Sequence, residues 1–152
     1  MSLTADLGKI RGRSLSELSL LFQVFFLLGI FRYLIAILPF QKITRLLGLI
    51  AAPALPGCEA DNSPFLSRLA WAVSAAVRRT PWHSACLAQS LTASLLLKNK
   101  RIPFLLYLGM AKDDLAGQYS AHSWLRCGEK IITGANGHKR YNIVASFKAA
   151  GE

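Results

Sequence analysis

The sequence predicts an α+β fold, with helices in the first two thirds of the chain and a small antiparallel sheet in the last third. Apolar residues recur at helical spacing up to about residue 98. A nearly continuous apolar run follows at residues 104–110, and the segments after it alternate polar and apolar residues between turn-forming residues. Helices grouped before strands, instead of alternating with them, favour an α+β architecture over a parallel α/β sheet.

Composition indicates one basic and unusually apolar domain. A chain of 152 residues is typical of a single domain. Hydrophobic residues make up 53% and charged residues 17%, which predicts a partner surface or a membrane-facing helix. The net charge of +10 suits an anionic membrane surface or an acidic protein. Nucleic acid is not an expected partner, because no nucleic-acid motif is present and aromatics are not interleaved with the basic residues.

The apolar run at residues 18–38 predicts a long buried or membrane-surface helix. Its length would also allow a bilayer span, which is the alternative. Gln23 and Arg32 lie inside the run and disfavour a span, because a charge near the bilayer centre costs about 3 kcal/mol. A second, short amphipathic helix is predicted at residues 40–50.

Two prolines, a glycine and an Asp-Asn-Ser cluster predict a loop at residues 51–63. This loop divides the chain into an N-terminal helical region (1–57), expected to dock partners or a membrane, and a core (58–152). One compact domain is the alternative. Ser63 and Pro64 predict the start of the next helix, as N-cap and first-turn residues.

The second half of the chain is expected to hold one more helix and the sheet. Ser84 is the predicted N-cap of a helix that runs to about Lys98. A strand, a hairpin and a final strand are predicted at residues 104–110, 118–126 with 130–133, and 141–147.

Cys86 and His122 are the candidate catalytic pair. Cys86 falls in the first turn of its predicted helix, where unpaired N–H groups and the helix dipole stabilise a thiolate. Strand alternation places His122 and Trp124 on one face, so that the indole can pack beside the imidazole. A cysteine and histidine that meet in this way perform acyl chemistry through the sulfur. The alternative is a cysteine packed in the core and a structural histidine.

The imidazole needs a group to orient it. If Cys127 pairs with Lys130 in the hairpin, residues 134–136 lie opposite His122, and Asn136 has the polar side chain there. A carboxylate would orient the ring better, and Asp113 and Asp114 are further candidates.

The remaining candidates concern the oxyanion and a metal. The N–H of Cys86 and Nε1 of Trp82 are the expected oxyanion donors, and His83 is a rival base. The cysteines at 58, 86 and 127 are odd in number and form no CxxC pair, which predicts a reducing cytosolic setting without a disulfide framework. A zinc site of Cys86, His122 and Cys127 lacks ligand spacing, so no metal or cofactor is expected.

Four segments of the chain carry a family resemblance: residues 85–91, 95–97 with 100–103, 108–110 with Lys112, and 121–124. They resemble the lasso-peptide leader peptidases, which are transglutaminase-like cysteine peptidases. The basic N-terminus and the helical lead-in also resemble that family. By this resemblance the chain is similar to the C-terminal half of the lasso-peptide B protein, as a stand-alone chain.

This resemblance implies a transglutaminase-like, papain-like fold, with N-terminal helices packed on a small antiparallel sheet and the nucleophile at a helix N-terminus. It implies a cytoplasmic enzyme, with possible membrane association, that removes the leader from a ribosomally made precursor peptide. Cys86 would attack the scissile carbonyl, and His122 would act as base and then as acid. The implied partners are the precursor peptide, a separate leader-recognition protein and an asparagine-synthetase-like cyclase.

The sequence departs from the family at one position. Members carry an aspartate twelve residues after the histidine, where this chain has Gly134, and Asn136 is the nearest polar substitute. Two other functions stay open at this point. One is a transglutaminase-type acyltransferase that uses the same pair. The other is a non-catalytic, membrane-associated interaction module in which Cys86 is structural.

Overall fold

The structure, a computed structural model, describes residues 14–53, 63–80, 85–112 and 118–150. These residues form four α-helices and one five-stranded antiparallel sheet, which confirms the predicted α+β class. The helices are α1 (Leu15–Ile37), α2 (Phe40–Leu47), α3 (Pro64–Val77) and α4 (Cys86–Asn99). The strands are β1 (Leu49–Ala51), β2 (Leu105–Lys112), β3 (Tyr119–Cys127), β4 (Lys130–Thr133) and β5 (Asn142–Ala149).

The strands lie in the order β1-β5-β2-β3-β4, so β2 is central and the hairpin of β3 and β4 forms one edge. Strand β1 forms the other edge, where Leu49 pairs with Ala149. The prediction of one helix at residues 40–50 was therefore too long. Helix α2 ends at Gly48, whose φ of 61° is left-handed. Such a residue closes a helix and lets the chain leave in a new direction.

Helix α1 begins at a capping box that the apolar pattern did not reveal. Ser14 accepts from the N–H of Glu17, and the Glu17 side chain accepts from the N–H of Ser14. By length and composition alone, this helix could cross a membrane. One face is nevertheless buried inside the protein, through the inner stripe of Leu20, Val24, Leu28 and Phe31.

A single large hydrophobic cluster joins this inner stripe to α2, α3, α4 and one face of the sheet. The N-terminal helices therefore share their core with the C-terminal part of the chain. The predicted boundary in the loop at 51–63 stays a prediction, because residues 54–62 lie outside the described residues.

The two helices that border the site begin close to their predicted positions. Helix α3 has Ser63 as its N-cap, with the side chain accepting from the N–H of Phe65, and Pro64 follows in the first turn. Helix α4 begins at Cys86, and its N-cap is Ala85. The predicted cap, Ser84, lies outside the described residues.

Candidate active site

Cys86 and His122 line the same cleft, although they are 36 positions apart in the sequence. The cleft has a volume of about 480 Å³ and lies between α3, the start of α4, and the segment that follows β4. Its described lining residues are Ala70, Val73, Ser74, Val77, Arg78, Cys86, Gln89, His122, Ile132, Thr133, Gly134, Ala135 and Asn136.

Cys86 is the first residue of α4, and its side chain is partly exposed. Ala85 has no side-chain oxygen and makes no capping hydrogen bond, and Gln89 N–H donates to the carbonyl of Ala85. The N–H groups in the first turn of an α-helix have no partner within the helix. These donors and the positive end of the helix dipole stabilise negative charge at the mouth of the cleft. The position suits both a thiolate and an oxyanion.

His122 is held by the main chain. Its Nε2 lies 2.8 Å from the carbonyl oxygen of Gly134. A carbonyl only accepts hydrogen bonds, so Nε2 carries the proton. In the neutral ring, Nδ1 then holds the free electron pair, which is the requirement for a base.

Sequence reasoning had assigned this hydrogen bond to Asn136. Asn136 lines the cleft, but the partner of Nε2 is the carbonyl of Gly134, two positions earlier. The prediction extended a regular β3–β4 ladder from the pair of Cys127 and Lys130 and considered only side chains, whereas β4 ends at Thr133. That pair is present, but the register shifts by one residue between Leu125 and Arg126.

Gly134 has no room for a side chain. Its φ is +71°, in the left-handed region that favours glycine. A Cβ built on it would collide with the carbonyl oxygen of Ser123 and would lie 2.8 Å from Cβ of Trp124. In this backbone conformation the position can offer its carbonyl to the imidazole, and it cannot offer a carboxylate.

Aromatic side chains pack against the imidazole of His122 and restrict its orientation. The ring of His122 stacks on Tyr141 at a centroid distance of 5.0 Å and on Trp124 at 6.0 Å, and Trp124 stacks on Tyr107 at 5.4 Å. Gly109 makes this packing possible, because a Cβ there would lie 2.7 Å from the Trp124 ring and 2.8 Å from Cβ of Tyr141. Strand alternation predicted the Trp124 contact, whereas Tyr141 comes from β2–β5 pairing and carried no local signal.

Buried hydroxyl groups connect the elements that carry the site. Ser90 Oγ lies 3.0 Å from Thr133 Oγ1, and Ser123 Oγ donates to Ser90 Oγ at 3.2 Å. All three residues are buried. Ser90 is one helical turn after Cys86, Ser123 follows His122 and Thr133 precedes Gly134. This hydroxyl cluster therefore fixes α4, β3 and β4 relative to one another directly beside the cleft.

Apart from Cys86, His122 and Asn136, the structure places none of the candidate site residues from the sequence analysis in the cleft, within the residues that it describes. Cys127 is 2% exposed and belongs to the hydrophobic core, so it is separate from the cleft. The described residues hold no group of three His, Cys, Asp or Glu side chains that could bind a metal ion. Four further candidates lie outside the described residues: Trp82, His83, Asp113 and Asp114.

Gln89 and Arg78 line the cleft and were not singled out from the sequence. Gln89 lies three residues after Cys86, on the same helix face, and this spacing was the available signal. Its amide N–H₂ can donate to an oxyanion. Arg78 follows α3 as its C-cap residue, and its Nη1 donates to Ser74 Oγ at 2.8 Å.

The chain matches the family described as "Transglutaminase-like superfamily" over residues 33–146. The match includes both Cys86 and His122 and every strand except the C-terminal end of β5. No curated protein and no solved structure shows a significant match to the chain.

Proposed function

Since the chain belongs to the transglutaminase-like superfamily, we propose that it is a cysteine peptidase that removes the leader from a ribosomally made lasso-peptide precursor. The observation that carries the catalytic part is that a helix-start cysteine and a strand histidine line one cleft. The residue blocks shared with the leader peptidases support the choice of substrate.

The proposed reaction follows from the groups in the cleft. The thiol of Cys86 gives its proton to Nδ1 of His122, and the sulfur attacks the scissile carbonyl carbon. The N–H of Cys86 and the amide of Gln89 donate to the oxygen as it becomes negative. The C–N bond then breaks, the imidazolium protonates the leaving amine, and a thioester remains. Water attacks the thioester with His122 as base, which releases the carboxylic acid and restores the thiol.

The cleft offers one apolar wall and one cationic edge to a peptide. Ala70, Val73 and Val77 of α3 form the wall, and Arg78 stands at the end of this helix. The partners proposed from the family resemblance are a separate leader-recognition protein and an asparagine-synthetase-like cyclase. The proposed location is the cytoplasm, where the thiol stays reduced.

Cleavage of a precursor peptide tests the nucleophile. The precursor and its recognition protein are incubated with the wild type and with Cys86→Ala, and the products are followed by mass spectrometry. We expect Cys86→Ala to lower the rate by roughly 10⁴-fold or more, the scale seen when a catalytic nucleophile is removed. Cys127→Ala is the matched control, because it removes the buried cysteine outside the cleft and should keep cleavage.

Each result distinguishes the competing functions. Unchanged cleavage by Cys86→Ala would contradict the peptidase proposal and favour a non-catalytic module. A second incubation includes a primary amine as acyl acceptor. An amide product with this amine, in place of the free acid, would favour the acyltransferase. Alkylation by iodoacetamide gives a second measurement. Cys86 should react before Cys127, and more slowly in His122→Ala if the imidazole helps to form the thiolate.

A further inference from the structure

The outward face of α1 is apolar, although nothing in the described part of the protein covers it. An outer stripe of large side chains is 50% to 66% exposed and recurs every three or four residues: Phe22, Phe26, Ile30, Tyr33 and Ile37. The inner stripe on the opposite face is buried in the core. A helix that is apolar on both faces indicates a second apolar environment on its outer side.

Two shallow grooves mark this face. They have volumes of about 430 and 420 Å³, and both include Gly29 and Tyr33. The first groove also includes Arg32, whose long aliphatic stem can lie along an apolar surface while its charge reaches water or a headgroup.

After the first turn of α1, the charged residues of α1 and α2 are all basic. Between Glu17 and Glu59 the sequence holds Arg32, Lys42 and Arg45 and no acidic residue. Lys42 and Arg45 are exposed on α2, directly after α1. Apolar and aromatic side chains followed in the sequence by exposed cations complement an anionic lipid surface, to which each basic residue adds about 1 kcal/mol of attraction.

We infer that α1 lies flat on an anionic membrane surface, with the outer stripe at the boundary between headgroups and acyl chains. A bilayer span would require the inner stripe to leave the core. Val24 and Leu28 are fully buried there, and exposing such a side chain costs about 1.5–3 kcal/mol. The surface arrangement keeps these contacts and still covers the outer stripe.

Vesicle flotation with the full-length protein tests this inference. The vesicles are pure phosphatidylcholine or phosphatidylcholine with one third phosphatidylglycerol, at low and at high salt. We expect flotation with the anionic vesicles, loss of it in high salt, and little with the neutral ones. Phe22→Ser combined with Phe26→Ser should weaken binding by about tenfold or more, because both side chains would otherwise enter the lipid.

Tyr119→Ser combined with Val144→Ser is the matched control, because it removes two exposed hydrophobic side chains from the sheet instead of α1. This control should float like the wild type, and so should Cys86→Ala, since the membrane inference does not depend on catalysis. Circular dichroism checks that each variant is folded. Equal flotation with neutral and anionic vesicles would overturn the inference. Unchanged flotation of the α1 double variant would overturn it as well. The inference would also be overturned if the free protein were a dimer and the α1 double variant were a monomer. A second copy of the chain, and not lipid, would then cover the outer stripe.

Discussion

The imidazole of His122 is held by a main-chain carbonyl, whereas a catalytic triad would use a side chain. The carbonyl of Gly134 fixes the ring and its tautomer, but it brings no full negative charge to an imidazolium. The rings of Tyr141 and Trp124 stack on the imidazole and present their electron-rich faces to it. Such faces attract a cation. In the proposed mechanism, a carbonyl would therefore orient the ring, and two aromatic side chains would face the imidazolium when it forms.

Gly134→Asp introduces the acid that the resemblance to leader peptidases implies at this position, and we nevertheless expect it to abolish the proposed cleavage. The new Cβ would collide with the carbonyl of Ser123, and the left-handed φ adds strain. The backbone would have to move, and the hydrogen bond to His122 would be lost. We expect at least about a hundredfold slower cleavage, because small misplacements of catalytic groups have effects of this size.

Gly137→Asp is the control for this variant. Gly137 also has a left-handed φ, of +75°, but a Cβ there meets only Cδ of Arg140, at 3.8 Å. Gly137→Asp therefore has the same unfavourable backbone conformation but no steric collision, so it should keep most of the activity. Cleavage rates and thermal unfolding are measured for both. A Gly134→Asp protein that cleaves faster than the wild type would show that the position accepts an acid after all.

The parts of the site that a sequence can reveal are those with a local signal. A helix start identified Cys86, and strand alternation identified His122 and its neighbour Trp124. Gly134 contributes only its main-chain carbonyl, and neither its left-handed φ nor the register shift in the hairpin can be read from hydrophobic alternation. Tyr141 directly precedes β5, which pairs with β2, and its contact with His122 joins segments that are 19 positions apart.

At the scale of elements, the hydroxyl cluster of Ser90, Ser123 and Thr133 links one helix to two strands. A buried hydroxyl left without its partner costs more than an exposed one, because it has already lost its water. The cluster is therefore a constraint on the relative position of α4 and the hairpin, and so on the positions of Cys86 and His122.

Ser90→Ala should destabilise the protein by about 1–3 kcal/mol, because it takes a hydrogen-bond partner from both Thr133 and Ser123. Thr92→Val, on the same helix, is the matched control. Thr92 is fully buried, and its hydroxyl has no hydrogen-bond partner among the described residues. Its replacement by an isosteric apolar side chain should be neutral or slightly stabilising. Urea unfolding measures both changes, and equal destabilisation by the two variants would argue against the cluster.

The elements themselves were largely predictable, and the errors lie where long-range contacts decide. Apolar periodicity found all four helices and the strands after Pro103 to within a few residues. It missed β1, because a strand of three residues is defined by pairing with β5, about a hundred positions away. It also placed the start of α1 late, because the capping box at Ser14 is polar and precedes the apolar run.

At the scale of the whole molecule, hydropathy does not reveal the role of α1. A membrane span, a signal sequence and a core helix all have long apolar runs. The inner stripe belongs to the same hydrophobic cluster as α3, α4 and the sheet, which is a property of a core helix. The family match begins at residue 33, inside α1, so most of this helix precedes the matched region and is still part of the core.

Leu28→Ala tests whether α1 belongs to the folded unit. Leu28 is fully buried, so the change leaves a cavity and should lower the free energy of unfolding by about 2–5 kcal/mol. Ile30→Ala is the matched control, because Ile30 lies two positions away on the outer stripe and is 50% exposed. It should change the free energy of unfolding by about 0.5 kcal/mol or less in the absence of lipid. If α1 were an anchor that packs only in a membrane, both variants would unfold at the same urea concentration as the wild type, and the inner stripe would not stabilise the fold that holds Cys86 and His122 in one cleft.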